Sequence, residues 1–340
     1  MSSSEPLLDV RDMHVDIPLM TGVLHAVRGI SFSVGRGETL CLVGESGCGK
    51  SLTALAVMGL LPRRARRRAA QLRFAGQDML QLDTRGLEKL RGDRMAMIFQ
   101  EPMTSLNPAF TIGDQLAEVL RQHRPVSRRE ARDRAVFLLE KVGITAAASR
   151  LGQYPHQLSG GLRQRVMIAM ALMCGPELIL ADEPTTALDV TVQAQLLHLL
   201  VDLQREFGMA MILITHDLGV VSRIADKVAV MYAGKVVEAG GCQRIFQDPL
   251  HPYTRGLMRC IPVPGRTKPG EKLAAIPGIV PALVGEMTGC AFRYRCPMAH
   301  DACADDPVPV RGAAGEANHH YRCVLTPERL REEAVWEGAA

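Results

Sequence analysis

Short apolar runs alternate with segments of helical periodicity along most of the chain. Apolar runs predict buried strands at residues 39–43, 178–181 and 209–215, and two further strands at residues 227–233 and 235–239. The last two runs flank Gly234 and predict a hairpin. Apolar residues with helical spacing predict helices at residues 50–61, 112–122, 128–142, 161–173 and 192–207. This alternation is typical of a layered α/β domain.

The pattern changes after Gln247, where proline becomes frequent and regular periodicity fades. Prolines stand at positions 249, 252, 262, 264, 269, 277 and 281. We therefore predict one domain over residues 1–245 and a loop-rich extension over residues 246–340. Before the boundary, the arginine-rich run at residues 63–68 is interpreted as a solvated loop, since charge runs are usually exposed.

Composition limits the function classes. The 340 residues are 47% hydrophobic, enough for a substantial core, and the formal charge of +4 is too small to indicate a nucleic-acid partner. The first residues lack the pattern of a signal peptide, and no run approaches the roughly 18 apolar residues of a spanning helix. We expect a protein of the cytosol that works at a membrane only by docking to another protein.

A glycine-rich loop follows the first predicted strand and precedes an apolar helix. It fits G-x-x-x-x-G-K-[ST] and consists of Gly44, Glu45, Ser46, Gly47, Cys48, Gly49, Lys50 and Ser51. The glycines let backbone N–H groups surround phosphate oxygens, and the helix presents its positive end to them. Lys50 supplies charge for the β- and γ-phosphates of ATP, and the Ser51 hydroxyl is a ligand for Mg²⁺. Cys48 is interpreted as incidental.

Two acids follow the apolar run at residues 178–181. Ligands of open α/β folds lie at the carboxyl ends of the strands, which is where Asp182 and Glu183 are expected. Asp182 is predicted to hold Mg²⁺, and Glu183 to polarise the water that attacks the γ-phosphate.

A second anion site is predicted 23 residues before Asp182, where Ser159, Gly160 and Gly161 stand at the start of a helix. One chain does not need two phosphate sites. A head-to-tail dimer does, because the second site of one chain can close on the ATP of the other.

With Leu158-Ser159-Gly160-Gly161 ahead of the Asp-Glu strand, residues 5–245 resemble the nucleotide-binding subunits of ABC transporters. The resemblance implies a P-loop ABC ATPase fold: a RecA-like core, an antiparallel β-subdomain and a helical subdomain, followed here by the loop-rich extension. ATP and Mg²⁺ are the implied cofactors.

The resemblance also implies roles for single residues. Gln100 resembles the glutamine that contacts Mg²⁺ and the attacking water, in a loop that contacts the membrane subunits. Ser159 and Gly161 resemble contacts to the γ-phosphate across the dimer. Asp189 in Ala187-Leu188-Asp189 resembles an acid between subunits, and His216 resembles the histidine that orients Glu183.

Two positions depart from the family pattern. Leu162 stands where many members carry glutamine, and no aromatic residue precedes Phe32 to stack on adenine. His25 and Ile17 are both candidates for that stacking role.

The extension resembles that of oligopeptide and dipeptide importers, on residues 248–254 and 276–283 and on the segment 99–108. This implies two transmembrane permease subunits, a second homologous ATPase in a heterodimer and an extracytoplasmic substrate-binding protein, with the chain peripheral at the cytoplasmic face of the membrane. Importers of nickel, glutathione and some sugars share these features, so they stay as alternatives.

Four cysteines are concentrated in the extension with spacing C-x5-C-x6-C-x19-C: Cys290, Cys296, Cys303 and Cys323. Four thiolates can hold a metal ion or a cluster, and the spacing alone does not choose between them. The resemblance implies a [4Fe–4S] cluster. Zinc remains an alternative because His300, His319 and His320 lie nearby in sequence, and so does the absence of a metal.

Two other function classes fit the sequence less well. A soluble ABC protein acting on nucleic acid or ribosomes usually has two fused ATPase domains or a coiled-coil insertion, whereas this chain has one phosphate loop and no heptad run. An exporter ATPase is disfavoured by the importer-type extension. The leading hypothesis is an ATPase subunit of a peptide importer.

Overall fold

The computed structural model describes residues 5–185, 189–261, 275–313 and 318–332. Within these ranges no helix is long and apolar enough to cross a membrane. The strands of this part of the chain are β1 (Leu8–Leu19), β2 (Gly22–Val34), β3 (Thr39–Val43), β4 (Arg66–Arg68), β5 (Gln71–Phe74), β6 (Gln77–Asp78), β7 (Met95–Ile98), β8 (Leu178–Asp182), β9 (Ala210–Thr215), β10 (Lys227–Tyr232), β11 (Lys235–Gly241), β12 (Val310–Gly312) and β13 (His320–Arg322). The α-helices are α1 (Lys50–Met58), α2 (Thr84–Leu90), α3 (Pro102–Ser105), α4 (Ile112–His123), α5 (Arg128–Lys141), α6 (Ala147–Arg150), α7 (Gly160–Ala171), α8 (Val190–Phe207), α9 (Leu218–Ile224), α10 (Cys242–Gln247), α11 (Pro252–Arg259) and α12 (Pro327–Glu332).

Each predicted strand and helix is present, with ends that differ by a few residues. The largest difference is in α1, which was predicted to reach residue 61 and ends at Met58. Gly59 adopts the left-handed conformation (φ 66°) and its N–H bonds to the carbonyl oxygens of the last turn, which is how glycine commonly ends a helix.

The described residues divide into two compact units. The first takes its residues from Met1–Leu8, Val34–Thr39 and Arg73–Ile214. In this unit β8 pairs in parallel with β7 on one side and with β9 on the other. Every residue of β7 and β8 is buried, as expected of strands covered on both faces. The unit also contains helices α2 to α8.

The second unit takes its residues from Asp9–Ser33, Leu40–Leu72 and Thr215–Ala340. Here β3 and β10 are parallel, and β10 and β11 form the predicted antiparallel hairpin about Gly234. Two strands from the extension continue the sheet, in the order β3, β10, β11, β13, β12. The long strands β1 and β2 also belong to this unit.

The arginine-rich run is solvated as its charge suggested, with four of its five arginines exposed, but only its first half is a loop. Arg66–Arg68 forms β4, antiparallel to residues 14–16 of β1. Arg67 is half-buried, donates a hydrogen bond to the carbonyl oxygen of Ala56, and has its pKa lowered by burial. The loop assignment was wrong at residues 66–68, because pairing with a neighbouring strand overrides a local charge pattern.

The extension has a small core of its own. It consists of Leu250, Met298, Ala313, Tyr321, Cys323 and Leu330, with Cys296 and Leu325 packed against it. A buried carboxylate fixes how this segment begins: Glu238 of β11 accepts hydrogen bonds from the backbone N–H groups of Leu250 and His251, and pairs with His319 at 2.8 Å. The extension is therefore attached to the sheet by strand pairing, packing and a buried polar group.

Tyr321 tests whether the extension contributes to the stability of the folded chain. Its side chain is 1% exposed within the extension core. Tyr321→Ala should lower the free energy of unfolding by about 3–5 kcal/mol, because a large buried ring is removed. Chemical denaturation of the full chain measures this value.

The matched control is Tyr294→Ala, which removes the same ring where it is 75% exposed. It should change stability by less than about 0.5 kcal/mol. Equal effects of the two substitutions would contradict the described packing.

Candidate nucleotide-binding site

The phosphate loop joins β3 to α1, and its shape requires glycine at two positions. A Cβ atom on Gly44 would lie 2.2 Å from the carbonyl oxygen of Met231, and one on Gly49 would lie 2.4 Å from that of Ala26. Both residues also have positive φ, 151° and 101°. The loop therefore packs directly against two backbone segments, which any other side chain would push away.

Lys50 is folded back over this loop. Its Nζ donates hydrogen bonds to the carbonyl oxygens of Gly44 (2.8 Å) and Glu45 (3.0 Å), and the residue is only 5% exposed. Ser46 and Gly47, at the top of the loop, are exposed. The first turn of α1 contains no acidic residue, so the positive end of the helix is not neutralised from within. The Lys50 side chain, the N-terminal end of α1 and the exposed glycine-rich backbone together form an anion site.

Cys48 is fully buried beneath the loop, with its sulfur 3.8 Å from the Lys50 Nζ. Burial raises the pKa of the Cys48 thiol, although the nearby Lys50 acts in the opposite direction. A neutral, buried thiol packs like a small apolar side chain.

In the first unit, the structure brings Gln100 and Glu183 together. They follow β7 and β8, which are parallel neighbours with Ile98 opposite Ala181. The Gln100 Nε2 donates to the Glu183 Oε2 at 3.4 Å, and Asp182 next to it is buried. This arrangement follows from parallel pairing, because the residues after adjacent strands meet at one edge of the sheet.

Glu183 has an unusual backbone conformation. Its φ is 43°, in the left-handed region that non-glycine residues seldom adopt, and its N–H donates to the carbonyl oxygen of Ile214. Such conformations cost about 1–3 kcal/mol and concentrate at functional sites. The strained backbone at Glu183 sets the direction in which its carboxylate points at the end of β8.

The predicted second anion site lies at the start of α7. Ser159 is exposed and caps this helix, its Oγ accepting a hydrogen bond from the Leu162 N–H at 3.4 Å. Gly160 and Gly161 form the first turn. A Cβ on Gly161 would lie 3.5 Å from Val192, an ordinary contact.

Two further predicted residues stand at helix starts. Asp189 caps α8 by accepting from the Val192 N–H at 3.0 Å, while Thr186, Ala187 and Leu188 before it lie outside the described residues. In the second unit, His216 is exposed and directly follows β9. Asp217 after it caps α9.

Of the two candidates for adenine stacking, His25 has its Nδ1 2.6 Å from the Asp16 carboxylate, and Ile17 is half-buried. The choice between them stays a prediction.

The four cysteines of the extension line one cavity. Cys290, Cys296, Cys303 and Cys323 share it with Phe292, Met298, Leu325 and other residues. Burial raises the pKa of the Cys290 thiol, raises that of Cys296 to about 12 and raises that of Cys323 to about 11. Among the described residues, no group of three or more His, Cys, Asp or Glu side chains is arranged to hold a metal ion.

Sequence reasoning missed two residues that contact the phosphate loop from the extension, Tyr253 and Arg295. Both bond to Glu45. They are separated from it by 208 and 250 residues, so no local motif could have indicated them.

Comparison with known proteins agrees with this geometry. Residues 27–186 match the family model described as ABC transporter, and residues 237–303 match that of the oligopeptide/dipeptide transporter C-terminal region. The chain is 46% identical over 337 residues to the dipeptide transport ATP-binding protein DppD of Bacillus subtilis (strain 168), covering 99% of both chains. The chain belongs to the ATP-binding subunits of the oligopeptide/dipeptide family of ABC transporters.

Other members are similarly close to this ABC ATPase. The dipeptide transport ATP-binding protein DppD of Escherichia coli (strain K12) is 49% identical over 317 residues, with 93% of this chain and 96% of the relative covered. Among solved structures, the ATP-binding cassette MJ0796, a dimer bound to ADP and Pi, matches with a TM-score of 0.63 at 26% identity, covering 69% of this chain and 98% of that one. The expected ABC ATPase fold is thereby confirmed.

The steric argument at Gly49 predicts a binding defect. Gly49→Ala should weaken ATP binding at least about tenfold, because the loop must move away from the Ala26 carbonyl oxygen. Titration of the purified chain with a fluorescent ATP analogue measures the change.

Gly37→Ala is the control for backbone strain alone. Gly37 also has positive φ (66°), but a Cβ there would have no neighbour within 4 Å. It should leave ATP affinity unchanged, and an equal loss in both variants would argue against the steric role of Gly49.

Proposed function

We propose that this ABC ATPase binds and hydrolyses ATP to drive the import of dipeptides and oligopeptides through separate membrane subunits. The observation that carries the substrate class is the match of residues 237–303 to the C-terminal region of oligopeptide/dipeptide transporters. Relatives that cover almost the whole chain and are named for dipeptide transport support it.

The proposed reaction is in-line attack of water on the γ-phosphate of ATP. The loop of residues 44–51 holds the phosphates through its backbone N–H groups, and Lys50 balances their charge. Glu183 accepts a hydrogen bond from the attacking water, within reach of the Gln100 amide. His216, exposed directly after β9, is the residue proposed to hold the γ-phosphate. Ser51, Gln100 and Asp182 are the residues that would hold Mg²⁺, and the ion would supply neutralisation of phosphate charge.

A head-to-tail dimer completes each site in this proposal. The exposed cap of α7, with Ser159, Gly160 and Gly161, contacts the γ-phosphate bound to the other ATPase subunit, and Asp189 lies between subunits. A helix of 12 residues with an open N-terminus suits an added anion. ATP binding closes the dimer, and hydrolysis lets it open.

The membrane partners are proposed to dock at an open groove in the first unit. The groove has a volume of about 1270 Å³ and is lined in part by α4. It contains Phe110, which is 54% exposed, and charged residues that include Arg121 and Arg132. An amphipathic segment from a permease subunit fits a groove with an exposed aromatic ring and a charged rim.

We propose the full complex as two permease subunits, this chain, a second homologous ATPase and an extracytoplasmic substrate-binding protein. The chain would lie at the cytoplasmic face of the membrane, with an ATPase domain at residues 1–245 and an extension at residues 246–340. The family of the relatives supports the membrane partners.

We also propose that Cys290, Cys296, Cys303 and Cys323 hold a [4Fe–4S] cluster. Four sulfur donors that line one cavity are the ligand set of such clusters, and apolar neighbours such as Phe292 and Met298 limit contact with water. Burial raises the pKa of the free Cys290, Cys296 and Cys323 thiols, which disfavours their thiolate forms when no metal is bound. A metal centre would stabilise the thiolates. The role of the cluster would be structural, holding the loop-rich segments of the extension together.

The central functional prediction concerns Glu183. In cells that lack the natural chain, Glu183→Gln should abolish uptake of a labelled dipeptide, and in the purified complex it should lower ATP turnover by about 10²–10⁴-fold. ATP binding should persist, because the amide keeps the shape of the side chain but cannot accept the proton of water.

Glu88→Gln, an exposed glutamate on α2, is the matched control and should support normal uptake. Normal ATP turnover in Glu183→Gln would remove Glu183 from its role. Normal dipeptide uptake in cells without the chain, with loss of nickel, glutathione or sugar uptake instead, would overturn the peptide assignment.

The cluster proposal predicts a brown protein after anaerobic purification, with iron and sulfide in equal amounts. Cys323→Ser should lose the colour and the iron, because one of four ligands is removed. Cys260→Ser should keep both, since Cys260 is half-buried and does not line the cavity. A colourless wild-type protein, with or without zinc, would overturn the cluster.

A further inference from the structure

Glu45, the second residue of the phosphate loop, forms a bidentate ion pair with the extension. Arg295 donates from one guanidinium nitrogen to the Glu45 Oε2 at 2.6 Å and from another to the Oε1 at 2.9 Å. The Arg295 side chain is 4% exposed and that of Glu45 is 30% exposed. Paired hydrogen bonds of this kind fix orientation as well as distance.

The backbone of Glu45 is held as well. Its N–H donates to the Tyr253 hydroxyl at 2.9 Å, and Tyr253 is fully buried. Its carbonyl oxygen accepts from the Lys50 Nζ at 3.0 Å. A displacement of Glu45 therefore also moves an acceptor that positions Lys50. We call Arg295 and Tyr253, with their bonds to Glu45, the Glu45 clamp.

Rigid surroundings support the Glu45 clamp. Arg295 also donates to the carbonyl oxygens of Ile276 and Pro277, and its guanidinium lies 5.7 Å from the centre of the Tyr232 ring. The rings of Tyr232, Tyr253 and Phe292 pack against one another with centroids 4.7–5.3 Å apart. These contacts fix the orientation of the Arg295 guanidinium from several sides.

We propose that Arg295 and Tyr253 are positioning residues of the nucleotide site, which hold the phosphate loop in the conformation that receives ATP. The inference rests on the proposed role of this loop in binding the phosphates. A loop that is already ordered does not lose conformational freedom when the nucleotide binds, so its affinity is higher. The extension thereby contributes to ATP binding through residues that touch no part of the nucleotide.

A purely structural ion pair would hold the extension in place and leave ATP affinity unchanged. Arg331 offers the matched comparison, because it makes a bidentate pair with Asp248 (2.6 and 3.2 Å) within the extension and away from the phosphate loop. The distinguishing measurement is nucleotide affinity in variants that remain folded.

The experiment is a double-mutant cycle on the full chain with Arg295→Met and Glu45→Gln. The dissociation constant of a fluorescent ATP analogue and the KM and kcat for ATP are measured in each variant. Each single substitution should weaken ATP binding about tenfold, and the double variant should be no weaker than either single one. Arg295→Lys should give intermediate affinity, because it restores the charge without the paired donors. KM should rise more than kcat falls, and Arg331→Met should match the wild type.

Wild-type affinity in folded Arg295→Met, or additive losses in the double variant, would overturn the proposal. If Arg295→Met does not fold, Glu45→Gln becomes the deciding variant, because it keeps the shape of a partly exposed side chain. Reduced affinity of Glu45→Gln for ATP supports the Glu45 clamp, and unchanged affinity overturns it. Lys50→Ala separates the two proposals. If it binds ATP normally, the phosphate-loop assignment fails. If it does not bind ATP while Arg295→Met keeps wild-type affinity, only the Glu45 clamp fails.

Discussion

The close approach of the phosphate loop to two backbone carbonyl oxygens is the constraint on which the site depends. Gly44 lies against Met231 and Gly49 against Ala26, at distances that leave no room for a Cβ atom. The loop begins directly after β3 and leads into the first turn of α1. Lys50 can then fold back onto the carbonyl oxygens of the same loop. The catalytic chemistry of an ABC ATPase requires phosphates in one fixed place, and these glycines make that place possible.

The sequence predicts the features that depend on neighbours along the chain. The buried strands, the long helices and the position of Ser159 at a helix start follow from local patterns in the sequence. The meeting of Gln100 with Glu183 follows once the strands before them are taken as parallel neighbours. The features that could not be predicted depend on tertiary contacts. The strands β12 and β13 have three residues each, too few for a pattern, and β4 consists of arginines. The positive φ of Glu183 likewise has no signal in its neighbours.

The extension is better described as part of the second unit than as an appendage. It continues the sheet beyond β11, adds a core around Tyr321 and is joined to β11 through the buried carboxylate of Glu238. The contact between Arg295 and Glu45 joins residues 250 positions apart in the sequence. Local motifs therefore cannot show that the extension contacts the phosphate loop. In this account, the extension of this chain orders the nucleotide site through the contacts of Tyr253 and Arg295 with Glu45.

The central claim is that this chain is the ATPase of a membrane-bound peptide importer. The most direct test is to tag the chain at its natural expression level, solubilise the membranes gently and identify the proteins that co-purify. The account predicts two polytopic permease subunits and a second ATPase, with a peptide-binding protein in the assembled complex. Recovery of the chain only from the soluble fraction, alone or with ribosomes or nucleic acid, would contradict the transport function while leaving the ATPase chemistry in place.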